Sequence, residues 1–126
     1  MKPALLLDTH VALWWFSADA RLPEADCDLI RSSRCHVSLA SVWEVAIKYR
    51  LDKLPVSTGD FLGAIEAAAM QVLSIQPAHI TMTAELPLLH KDPFDRLLVA
   101  QAMKESLVLL TTDTQLAAYG GLIRCV

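Results

Sequence analysis

Residues 4–8, Ala4-Leu5-Leu6-Leu7-Asp8, decide the fold class, because they join an uninterrupted apolar run to an acid. A short apolar run bounded by polar residues is typical of a strand that is buried on both faces. Such strands belong to parallel sheets, which carry helices on both sides. The segment therefore predicts a central strand of an α/β domain, with Asp8 at its carboxyl end.

Four later segments also read as strands, and helical patterns separate them. The predicted strands are 35–38, 72–75, 107–110 and the edge strand 122–125. The predicted helices are 11–16, 23–33, 42–51, 58–70, 77–85, 93–105 and 114–119, the last one stopped by Gly120 and Gly121. Strands that alternate with helices predict an α/β fold with a short, mostly parallel central sheet flanked by helices.

The composition fits one domain spanning residues 1–126, since a single core usually serves about 100–200 residues. Apolar residues make up 54% of the chain, which excludes a largely disordered protein. No apolar run approaches the ~20 residues that cross a membrane, so we expect no membrane association. Three cysteines without a Cys-x-x-Cys pair argue against a disulfide scaffold. We therefore expect reduced thiols and a cytoplasmic location.

Four acidic residues stand where strands end or helices begin. Asp8 and Asp113 each follow a predicted strand, while Glu44 and Asp95 each lie early in a predicted helix. In a parallel sheet, the carboxyl ends of strands and the amino ends of the following helices share one edge. We therefore expect the four acids to converge at that edge.

Gathered carboxylates favour a divalent cation. Each carboxylate raises the pKa of its neighbours, and a hard cation with oxygen ligands removes that cost. Three or four acids suit Mg²⁺ or Mn²⁺, which activate water for attack on phosphorus. The net charge of −3, from 11 basic and 14 acidic residues, disfavours nucleic-acid binding, but the remaining charges balance once four acids are assigned to a metal.

The four acids also have structural explanations, which the sequence leaves open. Three of them stand where a side chain caps the start of a helix. Glu44 is three residues after Ser41, as in a capping box, and four residues before Lys48, as in an ion pair on a helix surface. Only the convergence of all four acids at one edge favours a shared site.

The motifs around these acids resemble those of the PIN-domain family, and specifically its VapC-type ribonuclease toxins. The matching stretches are 5–10 (LLLDTH), 38–48 (SLASVWEVAIK), 90–102 (HKDPFDRLLVAQA) and 110–113 (LTTD). They follow one another along nearly the whole chain, and the stretch from Asp92 to Ala102 is the most specific. The resemblance implies that residues 1–126 form a single PIN domain.

The resemblance also implies a Mg²⁺- or Mn²⁺-dependent endoribonuclease. Asp8, Glu44, Asp95 and Asp113 match the catalytic acids of the family. Asp8, Asp95 and Glu44 would hold the metal, and Asp113 would orient or deprotonate the attacking water. In-line attack of a metal-activated water on phosphorus would leave 5′-phosphate and 3′-hydroxyl ends.

Further residues are expected to support the acids and to bind the substrate. Three hydroxyl residues are expected to support the acids: Thr9, Ser38 and Thr111. Three basic residues near the acids in sequence are expected to bind the RNA: Lys48, Lys91 and Arg96. His10 and His90 are interpreted as neighbours of the site, and not as its acid or base.

The resemblance further implies a homodimer that a small cognate VapB-like antitoxin holds inactive. The antitoxin would lay a helix over surplus apolar surface of the toxin. The candidates for that surface are Trp14, Trp15, Phe16, Val45, Tyr49, Phe61, Leu62 and Ile65.

Three other interpretations compete with this one. A response-regulator receiver needs a lysine after a late strand, where this chain has Thr111-Thr112-Asp113. A haloacid-dehalogenase-type phosphatase needs Asp-x-Asp after its first strand, and Asp8-Thr9-His10 lacks the second Asp. A catalytically idle PIN-like module that only binds RNA or protein is the third alternative, and the presence of all four acids disfavours it.

Overall fold

Five short strands form one sheet in the computed structural model, which describes residues 3–126. The strands are β1 (Ala4–Leu7), β2 (Arg34–Ser38), β3 (Gln71–Leu73), β4 (Val108–Thr111) and β5 (Ile123–Cys125). Their order is β3-β2-β1-β4-β5, and every neighbouring pair is parallel. The predicted α/β class is confirmed, and the sheet is parallel throughout.

Helices connect the strands. The α-helices are α1 (Thr9–Phe16), α2 (Glu24–Arg31), α3 (Leu39–Arg50), α4 (Thr58–Ala67), α5 (Pro77–Glu85) and α6 (Pro93–Glu105), and a 3₁₀ helix spans Thr114–Tyr119. Helix α3 begins at Leu39 and not at residue 42, because the Ser38 side chain caps it by accepting the Ala40 N–H. None of the helices in residues 3–126 combines the length and the hydrophobicity needed to cross a membrane.

Successive side chains of the central strands point to opposite faces of the sheet. In β1, Leu5 and Leu7 belong to the core on the side of α1 to α4, which includes Phe61. Leu6 belongs to the core on the opposite side, which includes Leu98 of α6. All three leucines are 1% exposed or less. The opening segment is therefore apolar at every position because both of its faces are covered by helices.

The crevice of the fold lies between β1 and β4. The chain adds β2 and β3 on one side of β1, and then returns to add β4 and β5 on the other side. Parallel sheets bind ligands at such a switch point, beyond the carboxyl ends of the strands. The Asp8 backbone N–H donates to the Leu110 carbonyl at 3.0 Å, which extends the pairing up to this acid. The topology therefore places Asp8 at the crevice.

Gly120 ends the 3₁₀ helix, as predicted, with a φ of +120°. L-residues with a side chain rarely adopt that conformation, whereas glycine does so readily. The chain then turns back to pair β5 with β4 at the edge of the sheet.

The apolar residues that a partner was expected to cover fall into three groups. Val45, Phe61 and Ile65 are buried in the core, so their predicted place in a partner surface is wrong. Tyr49 and Leu62 are exposed. Three further members are partly buried against the core: Trp14, Trp15 and Phe16.

We expect Leu109→Ala to lower the free energy of unfolding by about 2–5 kcal/mol, because Leu109 is fully buried in β4 and alanine leaves a cavity. Leu88→Ala is the control, since Leu88 is 90% exposed. Its effect should stay within about 0.5 kcal/mol. Urea denaturation measures both variants, and equal losses would contradict the described packing.

Candidate active site

A polar pocket of about 430 Å³ opens at the carboxyl edge of the sheet. It is lined by Asp8, Thr9, His10, Glu44, Lys48, Asp92, Asp95 and residues 112–115. All four acids singled out from the sequence are present. Each arrives from a different element, because Asp8 follows β1, Asp113 follows β4, and the other two lie on α3 and α6.

Asp8 is the most buried of these four acids, with 5% of the residue exposed. Its Oδ1 accepts the Val11 N–H at 2.8 Å and thereby caps α1. Its Oδ2 accepts the Thr111 hydroxyl at 2.5 Å and the Thr112 N–H at 3.1 Å. Burial raises the pKa of Asp8, and these hydrogen bonds oppose the rise. Asp8 is therefore both a helix cap and the innermost carboxylate of the pocket.

Glu44 is held by two partners. Its Oε1 accepts the Thr9 hydroxyl at 2.6 Å, and its Oε2 lies 2.9 Å from the Lys48 Nζ. The predicted i,i+4 ion pair is present, whereas the cap of α3 is Ser38 and not Ser41. These contacts fix the carboxylate at the edge of the pocket, where 16% of the side chain is exposed.

Asp95 lies in the first turn of α6. The Asp92 Oδ1 caps this helix, as expected, by accepting the N–H groups of Phe94 and Asp95. Burial raises the pKa of Asp95 to about 7, the charge of Asp92 adds to the rise, and the nearby His90 opposes it. Weaker repulsion comes from the other carboxylates of the pocket. The ionised form of Asp95 is therefore less favourable in this pocket than in water.

Asp113 follows β4, and both of its carboxylate oxygens are engaged. Oδ1 accepts the Gln115 N–H at 2.9 Å and caps the 3₁₀ helix. Oδ2 lies 2.7 Å from the His90 Nε2, and that nitrogen is also 3.7 Å from the Asp95 Oδ2. The position of His90 beside the site agrees with the sequence analysis, but the sequence carries no signal for these hydrogen bonds.

The three predicted supporting hydroxyl groups have different surroundings. Thr111 contacts Asp8 and also accepts the Asp113 N–H at 3.0 Å, while Thr9 contacts Glu44. Ser38 is fully buried, and its hydroxyl accepts the Ala40 N–H. The described hydrogen bond of Ser38 therefore caps α3, and this residue supports Glu44 only by starting the helix that carries it.

Arg96 is directed away from the acids. Its guanidinium donates to the carbonyls of Thr83 at 2.5 Å and Pro87 at 2.9 Å, and to the Tyr119 hydroxyl at 3.1 Å. These bonds tie α6 to the end of α5 and to the 3₁₀ helix. Both terminal nitrogens of Arg96 are therefore used within the fold, and its role in RNA binding stays a prediction.

The two lysines lie on different surfaces. Lys48 lines the acidic pocket. Lys91 is exposed and lines a separate apolar cleft of about 450 Å³, together with Trp43, Ile80 and Phe94. Only Lys48, of the three basic residues singled out from the sequence, lies within the described pocket.

The donor set of the pocket fits a hard divalent cation. Five carboxylates line it, the four singled out from the sequence and Asp92, and burial together with their repulsion raises the pKa of Asp95. A cation among these oxygens relieves both penalties. Asp95 and Asp113, with His90 between them, also offer ligand atoms within 4.8 Å of one another.

The PIN domain family model matches residues 5–122. The chain therefore belongs to the PIN-domain family, which confirms the resemblance seen in the motifs. The comparison with curated protein sequences returns no match.

Solved structures share the fold over nearly the full length of the chain. VapBC2 from Rickettsia felis, bound to a DNA fragment from its promoter, is 14% identical, with a TM-score of 0.69 over 95% of this chain and 96% of that chain. A toxin–antitoxin complex from Klebsiella pneumoniae is 19% identical, with a TM-score of 0.66 over 95% of each. DNA-bound VapBC from Salmonella typhimurium is 17% identical, with a TM-score of 0.68 over 99% and 98%. At these identities the likeness establishes the fold.

We expect Asp95→Asn to stabilise the metal-free protein at pH 8. The pKa of Asp95 rises from its ordinary 3.8 to about 7 on folding, so the folded state binds more protons than the unfolded state between these values. The stability of the natural protein therefore falls as pH rises through this interval, and asparagine removes that contribution. Thermal unfolding in EDTA at pH 5 and pH 8 measures the effect. A difference between the two proteins that is the same at both pH values would contradict this expectation.

Proposed function

We propose that the protein is a metal-dependent endoribonuclease of the VapC type, a cytoplasmic toxin that a cognate VapB-like antitoxin holds inactive. The observation that carries the proposal is the convergence of Asp8, Glu44, Asp95 and Asp113 in one pocket of a PIN domain. The solved neighbours of the fold include toxin–antitoxin complexes, which supports the same class.

Asp8, Asp95 and Glu44 are the residues that would hold Mg²⁺ or Mn²⁺, directly or through water. The bound ion supplies charge neutralisation and a lowered pKa for nearby water. Three of the roughly four lone-pair sites of the Asp8 carboxylate accept hydrogen bonds from the protein, which leaves one on Oδ1 for a further ligand. The contacts of Asp8 therefore orient it before any ligand arrives.

Asp113 is the residue that would orient the attacking water and accept its proton. Its carboxylate lies across the crevice from Asp8, and Thr111 bonds to both residues. Lys48 is the basic residue placed to meet a phosphate, since its side chain is 35% exposed beside Glu44. In-line attack on phosphorus would then leave 5′-phosphate and 3′-hydroxyl ends.

The antitoxin would cover the face formed by α1 and its neighbours. A groove of about 540 Å³ there is lined by Trp14, Trp15 and Leu22. Arg21 and Arg31 lie over the two tryptophan rings, at 4.7 Å and 5.5 Å from the ring centroids. Aromatic grooves of this kind suit an amphipathic helix, and this one contains Trp14 and Trp15 of the apolar residues expected from the sequence.

A homodimer would use a different face, which contains Trp43. Trp43 is 62% exposed and stands edge-on to Phe94, with ring centroids 5.4 Å apart. Ile80 lines the same cleft and is half exposed, and Leu39 lies one turn before Trp43 on α3. Large exposed apolar patches mark protein interfaces, and we propose that a second copy covers this one.

We expect antitoxin-free protein to cut RNA in Mg²⁺ or Mn²⁺ and to lose that activity in EDTA. Asp8→Asn and Asp95→Asn should each lower the rate by about 10²–10³, since each removes a carboxylate that would hold the metal. Asp95→Asn is the safer variant, because an amide in place of Asp8 disturbs three hydrogen bonds. The measurement is gel analysis of total and transfer RNA, with thermal unfolding as the control for folding.

Full activity of Asp95→Asn would contradict the metal assignment. Absence of both cleavage and metal binding in the natural protein would favour the catalytically idle module instead. Cleavage that EDTA does not stop would point to a different chemistry.

We expect Trp43→Glu to convert a dimer into a monomer, because a carboxylate in an apolar interface is desolvated without a partner. Leu51→Glu is the control, since Leu51 is 58% exposed just beyond the end of α3. Sedimentation velocity at micromolar concentration measures the mass. A natural protein that sediments as a monomer would contradict the proposed dimer, and a dimer that persists in Trp43→Glu would place its interface elsewhere.

A further inference from the structure

The imidazole of His90 lies between two carboxylates of the pocket. Its Nε2 is 2.7 Å from the Asp113 Oδ2 and 3.7 Å from the Asp95 Oδ2. Only 12% of the side chain is exposed. Since ligand atoms of these three residues lie within 4.8 Å of one another, His90 has two possible roles: a ligand for a metal or a hydrogen-bond donor.

A backbone hydrogen bond decides between these roles. The Asp92 N–H donates to the His90 Nδ1 at 3.0 Å, so the lone pair of Nδ1 is the acceptor. A neutral imidazole carries one proton, which must then be on Nε2. A protonated Nε2 donates to Asp113 and has no lone pair for a cation.

The same contacts join the two segments that carry the acids. The Asp92 side chain caps α6 through Phe94 and Asp95, which fixes the backbone that holds the imidazole relative to the start of that helix. The other Asp113 oxygen is already held by Gln115. His90 is therefore the side chain that connects the start of α6 with the loop after β4.

We propose that His90 is a positioning residue, and not a metal ligand: its Nε2–H holds the Asp113 carboxylate beside Asp95, and the Asp92 backbone keeps the ring in the tautomer that allows this. The importance of Asp113 for cleavage rests on the proposed function. The chain of hydrogen bonds does not, because it consists of contacts between residues of the described fold.

Two amide variants test the two nitrogens of the imidazole one at a time. His90→Asn keeps an acceptor near the position of Nδ1 but is too short to donate to Asp113. His90→Gln places an amide N–H near the position of Nε2 but has no acceptor for the Asp92 N–H. We expect His90→Asn to lower kcat at least tenfold with little change in KM, and His90→Gln to retain more of the rate.

A double-mutant cycle tests whether the effect passes through Asp113. In an Asp113→Asn background, His90→Asn should cause no further loss, because the carboxylate that it positions is gone. Independent and additive losses would overturn the positioning role. Thermal unfolding of each variant separates these effects from a loss of folded protein.

Two spectroscopic measurements test the inference without RNA cleavage. Long-range ¹H–¹⁵N correlation spectra of the metal-free protein should show His90 as the Nε2–H tautomer. Pulsed electron paramagnetic resonance of the protein with Mn²⁺ should show no nitrogen coupling that His90→Asn removes. A Nδ1–H tautomer, or such a nitrogen coupling, would overturn the inference. The expected tautomer in a protein that cuts no RNA would instead count against the proposed function alone.

Discussion

The pairing of β1 with β4 is the constraint on which the rest of the molecule depends. These strands lie at the centre of the sheet, and helices cover both of their faces. Their leucines are therefore buried whichever face they point to. The pairing continues through the backbone of Asp8, and the Thr111 side chain then bonds to the carboxylate of that residue. The hydrophobic centre and the acidic pocket are therefore consecutive parts of the same two strands. A shift in register between them would separate Asp8 from Thr111.

The acidic pocket shows how a fold supports an arrangement that is locally unfavourable. Three of the acids also stabilise the fold, since Asp8 and Asp113 cap helices and Glu44 pairs with Lys48. These contacts hold the carboxylates close together although they repel one another. Burial, together with weaker repulsion from neighbouring carboxylates, raises the pKa of Asp95. The capping and metal-binding explanations of such acids are therefore compatible, because a cap uses one lone pair and leaves others for a ligand.

The fold class and the meeting of the four acids could be predicted because both follow from local sequence. Apolar runs mark buried strands, and the geometry of a parallel sheet places the residues after them at one edge. The direction of long side chains could not be predicted in this way. Arg96 adjoins Asp95 in sequence, yet its guanidinium reaches the carbonyl groups of Thr83 and Pro87. The exposure of Trp43 and the burial of Phe61 could not be predicted either, because they depend on which face of each helix packs against a neighbouring element.

The segment from His90 to Arg96 serves two surfaces with alternating residues. Asp92 and Asp95 line the acidic pocket, whereas Lys91 and Phe94 line the apolar cleft. An insertion of one residue here would rotate the following side chains by about 100° around the axis of α6 and exchange the two surfaces. In the preceding connection, Leu88 and Leu89 after Pro87 are exposed and lie outside both surfaces. We therefore expect insertions and deletions among homologues to occur before His90, and not between His90 and Arg96.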